Sequence, residues 1–266
     1  MGLLPRLIDS HCHFDDARFD QDREQALQRA RDAGVTTQII AGVKAEWWPR
    51  QKQICRGYPG LYPAYGLHPM FLGDHQPEDI EQLASWIERE QPVAVGECGL
   101  DFFIEDPQPE AQQALFEAQL ELARRYRLPV IIHARRSVDQ VFNTLKQFPG
   151  LSGVVHSFSG SEQQARRLID LGFLLSFGGP ITYERAKRLR SLIQILPLES
   201  LMLETDAPDQ PDSGHRGERN ESAYLPNVLQ TVADLRNQPA SEIAAVTSEN
   251  AVRLFNIPSS DESWQA

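Results

Sequence analysis

No run of apolar residues in this 266-residue chain approaches the roughly 18 needed to span a bilayer, so a membrane-spanning helix is not expected. The start, Met1 to Ser10, lacks the basic region and long apolar stretch of a signal peptide, and Arg6 stands where a myristoylation motif wants serine or threonine. A cytoplasmic location without a lipid anchor is therefore the expectation. Cysteine is scarce: Cys12, Cys55 and Cys98 are odd in number and have no CxxC spacing, which excludes a disulfide framework and a thiolate zinc site. They read as small buried residues. Positive charge is also short, with 26 Lys and Arg against 37 Asp and Glu and a net charge of −11. That balance argues against an extended basic track on duplex DNA, though not against a nucleic acid held locally. No Gly-, Ser- or Pro-rich stretch is long enough to be a linker, so one domain over residues 1–258 is expected, followed by a polar tail, 259–266.

What the chain has is alternation, and its hydrophobic share of 41% is enough to fill a sizeable core. Strand-like runs occur at Leu7–Phe14, Thr37–Val43, Leu61–Leu67, Val93–Leu100, Pro129–Ala134, Gly153–Phe158, Phe173–Phe177 and Leu201–Thr205. Between them apolar residues take the helical period, as in Ala26, Ala30 and Ala33, or Phe116, Leu120 and Ala123. Gly172 closes the helical run of Ala165, Leu168 and Ile169, as a helix C′ glycine does. Glu221–Arg236 and Ala240–Phe255 read as the closing helices. Eight such alternations in this length predict a single (β/α)₈ TIM barrel. An open doubly wound sheet would usually carry a glycine fingerprint after its first strand, where this chain has His11-Cys12-His13-Phe14.

His11 and His13, two apart on a strand, project to the same side, with Cys12 turned the other way. Glu97, His133, His156 and the run Glu204-Thr205-Asp206 all fall near carboxyl ends of predicted strands, which in this barrel converge on one rim. Imidazoles with carboxylates suit first-row divalent ions. Four histidines and two carboxylates match two cations sharing a bridge better than one cation. The expected arrangement sets His11, His13 and Asp206 on one ion and His133 and His156 on the other, with Glu97 bridging. Zinc is the first expectation; manganese, nickel and magnesium are alternatives.

The segments Asp9-Ser10-His11-Cys12-His13, Gly66-Leu67-His68-Pro69, Gly96-Glu97-Cys98-Gly99-Leu100-Asp101 and Glu204-Thr205-Asp206-Ala207-Pro208 resemble, in order and spacing, the TatD family of metal-dependent hydrolases. His215–Asn220 resembles that family's loop after strand eight. The resemblance implies an amidohydrolase-type barrel with the ligand set just described, and nuclease activity as the commonest chemistry. Ser222, where many relatives carry proline, and the acidic loop Asp209–Ser213 depart from the pattern and leave substrate preference open.

Cleavage of phosphodiesters in DNA single strands or ends by a metal-activated water is thus the leading expectation, with no membrane and no obligate protein partner. The catalytic residues expected are Asp206, to guide or accept the water's proton, Glu97, and Glu204 as a proton relay. A carboxylate merely bonded to nearby backbone is the other reading of Glu204. His68, Arg135 and Arg216 are expected to hold substrate, with Arg219 a further candidate, and Gly178-Gly179 could offer amides to phosphate. Trp47, Trp48 and Phe71 could stack on a base or lie buried. His75 and the basic run Arg185, Lys187, Arg188 and Arg190 read as solvated. The competing enzyme reading is hydrolysis of a small phosphate ester, carboxylic ester or amide. Glu97 in place of a carboxylated lysine weighs against the cyclic-amide hydrolases. A barrel that keeps metal only for stability would not need six ligands around an open rim.

Overall fold

The structure, a computed structural model, describes residues 6–258; the expected tail, 259–266, lies outside the described residues. Eight strands, β1 (Leu7–Cys12), β2 (Val35–Ala41), β3 (Leu61–Tyr65), β4 (Ala94–Asp101), β5 (Val130–Arg135), β6 (Gly153–Val155), β7 (Phe173–Phe177) and β8 (Leu201–Leu203), form one sheet in sequence order. Every neighbouring pair from β1–β2 to β7–β8 is parallel. The helices between them are α1 (Arg23–Asp32), α2 (Trp48–Gly57), α3 (Asp79–Glu90), α4 (Pro109–Tyr126), α5 (Val138–Leu145), α6 (Glu162–Asp170) and α7 (Lys187–Ile195), followed by α8 (Leu225–Arg236) and α9 (Ala240–Phe255). This is a (β/α)₈ TIM barrel. No helix among the described residues is long and apolar enough to cross a membrane.

Strands with helices packed outside bury both faces, which is why their sequences run apolar almost without break. Inside the barrel, Ile8, Ile39, Ala64, Ala94, Ile131, Val154 and Met202 make an apolar floor, with Leu174 against it and Phe255 and Ile257 sealing it. The polar site stands on this floor. Between β8 and β1 the seam is held at the rim: Asp206 N–H donates to His11 O at 2.9 Å and His13 N–H to Ala207 O at 2.7 Å. The buried Asp9 carboxylate accepts from Thr205 N at 2.9 Å and from the Thr205 and Ser222 hydroxyls at 2.5 and 2.7 Å. Ser222 thereby ties the closing segment to β1.

Register irregularities in β1, between Asp9 and Cys12, and in β4, between Val95 and Cys98, change which residues face inward. Strict alternation from Ile8 would turn Ser10 and Cys12 inward, and from Ala94 would turn Gly96 inward. The irregularity shifts the phase, so His11 and Glu97 reach the centre while Cys12 packs with Phe14, Ala26 and Ile40 and Cys98 joins the outer core. Cys12, Cys55 and Cys98 are free and buried, as expected.

Several expected elements end early. β1, β3, β6 and β8 stop at Cys12, Tyr65, Val155 and Leu203, so His13, His68, His156, Glu204 and Asp206 sit just beyond strands, where the barrel flares and ladder pairing ceases. The expected helix from Glu221 starts at Leu225, after a 3-10 turn over Ser222–Tyr224, because Pro226 suits the first turn of a helix.

Gly99 pairs with His133 across β4 and β5, has φ of +135°, and would place a Cβ 2.1 Å from the His133 carbonyl oxygen. Gly99→Ala is expected to lose about 3 kcal/mol of stability, because neither backbone can yield without moving His133. Urea unfolding checks this: a midpoint equal to that of the parent protein would contradict the packing described.

Candidate metal centre

The phase shift in β4 buries Glu97 and aims its two carboxylate oxygens at different neighbours. Oε2 lies 3.2 Å from His11 Nε2 and 3.5 Å from His13 Nε2. Asp206 Oδ1 faces the same two nitrogens at 3.4 and 3.5 Å. Oε1 lies 2.7 Å from His156 Nε2 and 3.0 Å from His133 Nδ1, and those two nitrogens are 3.3 Å apart. The six residues expected to be ligands are therefore together: His11, His13 and Asp206 form one set able to hold a metal, and His11, Glu97 and His156 form another that crosses the expected grouping.

These spacings fit cations. Ligand bonds of about 2.0–2.1 Å at tetrahedral angles separate donor atoms by about 3.3–3.4 Å, close to what the Oε2 side shows. His11 is completely buried, yet neither of its ring nitrogens has a hydrogen-bond partner among the described residues. Polar atoms left so in an interior cost free energy that a bound cation would recover.

For His13, His133 and His68, a hydrogen bond to one ring nitrogen settles the tautomer. His13 Nδ1 is 3.0 Å from Ala41 O, which can only accept, so Nε2 offers its lone pair to the centre. His133 Nε2 is 3.0 Å from Asp101 Oδ2, leaving Nδ1 to face Glu97 and His156. His68 is the opposite case: its Nδ1 accepts from Met70 N–H at 3.0 Å, so the neutral ring carries its proton on Nε2, 2.9 Å from Glu97 Oε1. His68, Glu97 and His133 are close enough to form another ligand set, but this tautomer makes His68 a donor rather than a ligand. His75, expected in solvent, instead places Nε2 2.9 Å from the His68 carbonyl, because the turn after β3 folds back on itself.

Without a cation, the carboxylates draw protons onto the imidazoles. Burial pushes His11 down, but Glu97 and Asp206 overcome it and hold its pKa well above the ordinary value. His133 is pushed up to about 9 by Asp101 and Glu97, again against burial. Burial wins at His156, pushed down to about 4 despite Glu97, and lowers His68 as well. Burial also opposes ionisation of Glu97 and Asp206, but His156, His68 and His11 hold the first well below the usual carboxylate range. The neighbouring His11 and His13 rings do the same for Asp206. A dication supplies that positive charge without protons, so its binding should release protons and weaken in acid.

Asp206, in a left-handed conformation with φ of +58°, lines the cavity above the centre, and the Gln210 side-chain amide donates to its Oδ2. Glu204 does not line it. Its Oε1 accepts from Ser157 N–H at 2.7 Å, its Oε2 from the Ser176 hydroxyl, and it lies 3.8 Å from His156 Nδ1. Burial, assisted by Asp206 against His11, pushes it up to about 8. The geometry therefore favours the backbone-bonded reading of Glu204, a residue that holds the Ser157 amide behind His156 without a hydrogen bond to that ring. Asp101 was missed by sequence reasoning, although Glu97, Gly99 and Asp101 share one face of β4 and that periodicity could have exposed it.

A cavity of about 910 Å³ opens over the centre, lined among others by His13, His68, Glu97, His133, His156 and Asp206. Trp47 and Phe71 pack edge to face at 5.6 Å on its rim, while Trp48 is buried and bonds Gly66 O, so the two possibilities divide between neighbouring tryptophans. Of the expected arginines only Arg135 lines it. Arg216 is exposed and outside the lining, because Asn220 anchors its loop to Thr205 O and Asp209 O and Asp212 binds His215. Arg219 is spent on Asp22 and Glu221. Arg18 and Arg50, unnoticed in the sequence, line the cavity instead. In the basic run, Arg188 and Arg190 donate to Ser159 O and Ile181 O rather than being wholly solvated.

Comparison with known proteins gives the site a context. The family model described as TatD related DNase matches residues 8–256. The chain is 47% identical to a metal-dependent hydrolase, YjjV, of Escherichia coli K12, covering 96% of this chain and 100% of that one. It is 35% identical to the 3'-5' ssDNA/RNA exonuclease TatD of a Pantoea species, covering 94% and 100%. The crystal structure of the Escherichia coli YjjV protein superposes with a TM-score of 0.92 at 46% identity, covering 96% of this chain and 100% of that one.

Proposed function

The chain belongs to the TatD family of metal-dependent hydrolases, and from that premise we propose that it cleaves phosphodiester bonds of DNA, as single strands or ends, with two divalent cations. The observation that carries the reading is the division of Glu97, whose Oε1 and Oε2 face separate sets of nitrogens. The relative named as a single-strand exonuclease supports the choice of substrate. Zinc is the cation expected first, with manganese, nickel and magnesium as alternatives.

In this reading His11, His13 and Asp206 would hold one cation and His133 and His156 the other, with Glu97 available to both. When bound, such a pair lowers the pKa of water and neutralises charge that develops on a phosphoryl oxygen. The protein's own groups do the rest. Ala41 O and Asp101 fix His13 and His133 in their binding tautomers. His68 Nε2–H is aimed at the centre and can donate to a phosphate oxygen or a leaving group. Asp206, steadied by Gln210, is placed to take a proton from the attacking water. By formal charge, two dications with Glu97 and Asp206 leave about +2, so an anionic ester is attracted despite the acidic surface.

The test is metal quantification followed by hydrolysis of end-labelled single-stranded oligonucleotides, small phosphodiesters, carboxylic esters and amides. About two equivalents of metal are expected, with cleavage of the oligonucleotides that a chelator abolishes and added metal restores. At most one equivalent in active protein would refute the paired form. Turnover confined to carboxylic esters or amides would replace this reading with the small-molecule one.

A further inference from the structure

Of the three arginines lining the cavity, two have a carboxylate at hydrogen-bond distance. Arg18 is held between Asp16 and Asp209, and Arg50 shares Asp20 with Arg23. Arg135 does not: its nearest recorded carboxylate is Asp101, at 4.0 Å, and that group already accepts from His133. Arg136 beside it is exposed and forms no ion pair among the described residues; it and Phe103 stand just outside the cavity lining that Arg135 reaches. Both guanidinium groups instead stack on Phe103, 3.8 and 4.2 Å from its ring centroid. Phe103 is 46% exposed, so the ring stays open to solvent beneath the two guanidinium groups.

The corner that carries these residues is pinned. Phe102 N–H donates to Arg135 O at 2.9 Å, Phe103 N–H to Asp101 Oδ1 at 2.8 Å, and the Ser137 hydroxyl to Leu100 O at 2.7 Å. Asp101 is thus shared: one oxygen orients His133 at the metal centre and the other holds the Phe103 loop. A fixed aromatic ring limits the freedom of two long side chains and leaves their N–H edges free to donate, as recognition of a phosphate group requires.

We infer that Phe103, Arg135 and Arg136 form a second anion subsite beside the metal centre, which takes the phosphate group neighbouring the scissile one. The inference rests on the phosphodiesterase reading and narrows it: the substrate is a strand or fragment with at least two adjacent phosphates rather than an isolated diester. Phe103 is a positioning residue, acting through the two arginines.

Four p-nitrophenyl phosphodiesters of thymidine test it. Two carry the reporter at the 5′ phosphate, with a 3′-hydroxyl or a 3′-phosphate, and two have the reverse arrangement. For one polarity the added phosphate is expected to lower KM about tenfold with little effect on kcat. Arg135→Gln with Arg136→Gln should bring that KM ratio close to one. Phe103→Ala should remove most of the ratio and Phe103→Tyr restore it, which a loss of fold would not do. Hydrolysis of all four esters with equal KM would overturn the subsite while leaving the hydrolase reading intact. If none is hydrolysed, the phosphodiesterase reading fails by itself, and calorimetry on the metal-loaded protein decides the subsite. Thymidine 3′,5′-bisphosphate should then bind more tightly than both monophosphates in the parent protein and lose that advantage in the double variant; equal affinities would overturn it.

Discussion

Glu97→Gln is expected to lower turnover by about 10³-fold or more and to reduce bound metal from two equivalents to one or none. The side chain keeps its volume, so packing against the buried neighbours of β4 should survive. What it loses is one of two equivalent anionic oxygens. An amide offers a single acceptor, and its NH₂ would either hydrogen-bond an imidazole lone pair that a cation needs or face a cation, which repels it. Since Oε2 faces His11 and His13 and Oε1 faces His133 and His156, no rotation of the amide can serve both sides. Metal analysis and steady-state kinetics on the same preparation check the result, with a urea midpoint as the control for folding. A variant that kept two equivalents and full turnover would remove the shared carboxylate from the mechanism.

Asp101→Ala should weaken metal binding about 10–100-fold, the usual consequence of losing an outer hydrogen-bond partner of a ligand histidine. His133 would then be free to move its proton to Nδ1, the atom that faces Glu97 and His156. Activity should fall at limiting metal and recover in excess metal, because the ligands themselves remain. Asp101→Asn, which keeps an acceptor but not the charge, should lie between. Metal titration followed by activity separates the outcomes, and loss that no metal concentration restores would mean that Asp101 acts on the chemistry directly. The same substitution frees Phe103, so the KM advantage of an added phosphate should shrink even at saturating metal.

Much of the site was legible because it follows from local order. His11 and His13 are two apart, the other donors fall at strand ends, and a parallel barrel brings all such ends to one rim. The gaps have particular causes. His68 was expected near the centre, but only the Met70 amide shows that it arrives as a donor. Arg216 looked as good a candidate as Arg135. The difference lies in Asn220 and Asp212, which hold the Arg216 loop to the rim, and in Phe103, which steadies Arg135. Glu204 sits two residues before Asp206, yet Ser157 and Ser176 occupy its oxygens behind His156.

The amino-acid order by itself determined the barrel, the number of its strands and the identity of six side chains able to hold metal, because apolar periodicity and donor chemistry are properties of short stretches. Tertiary structure alone decided that β1 and β4 change phase to turn His11 and Glu97 inward, which nitrogen of His13 and of His133 faces the centre, and which guanidinium groups lack a close carboxylate. Those outcomes depend on hydrogen bonds and charges contributed from distant parts of the chain, and no local pattern encodes a partner that folding has yet to bring near.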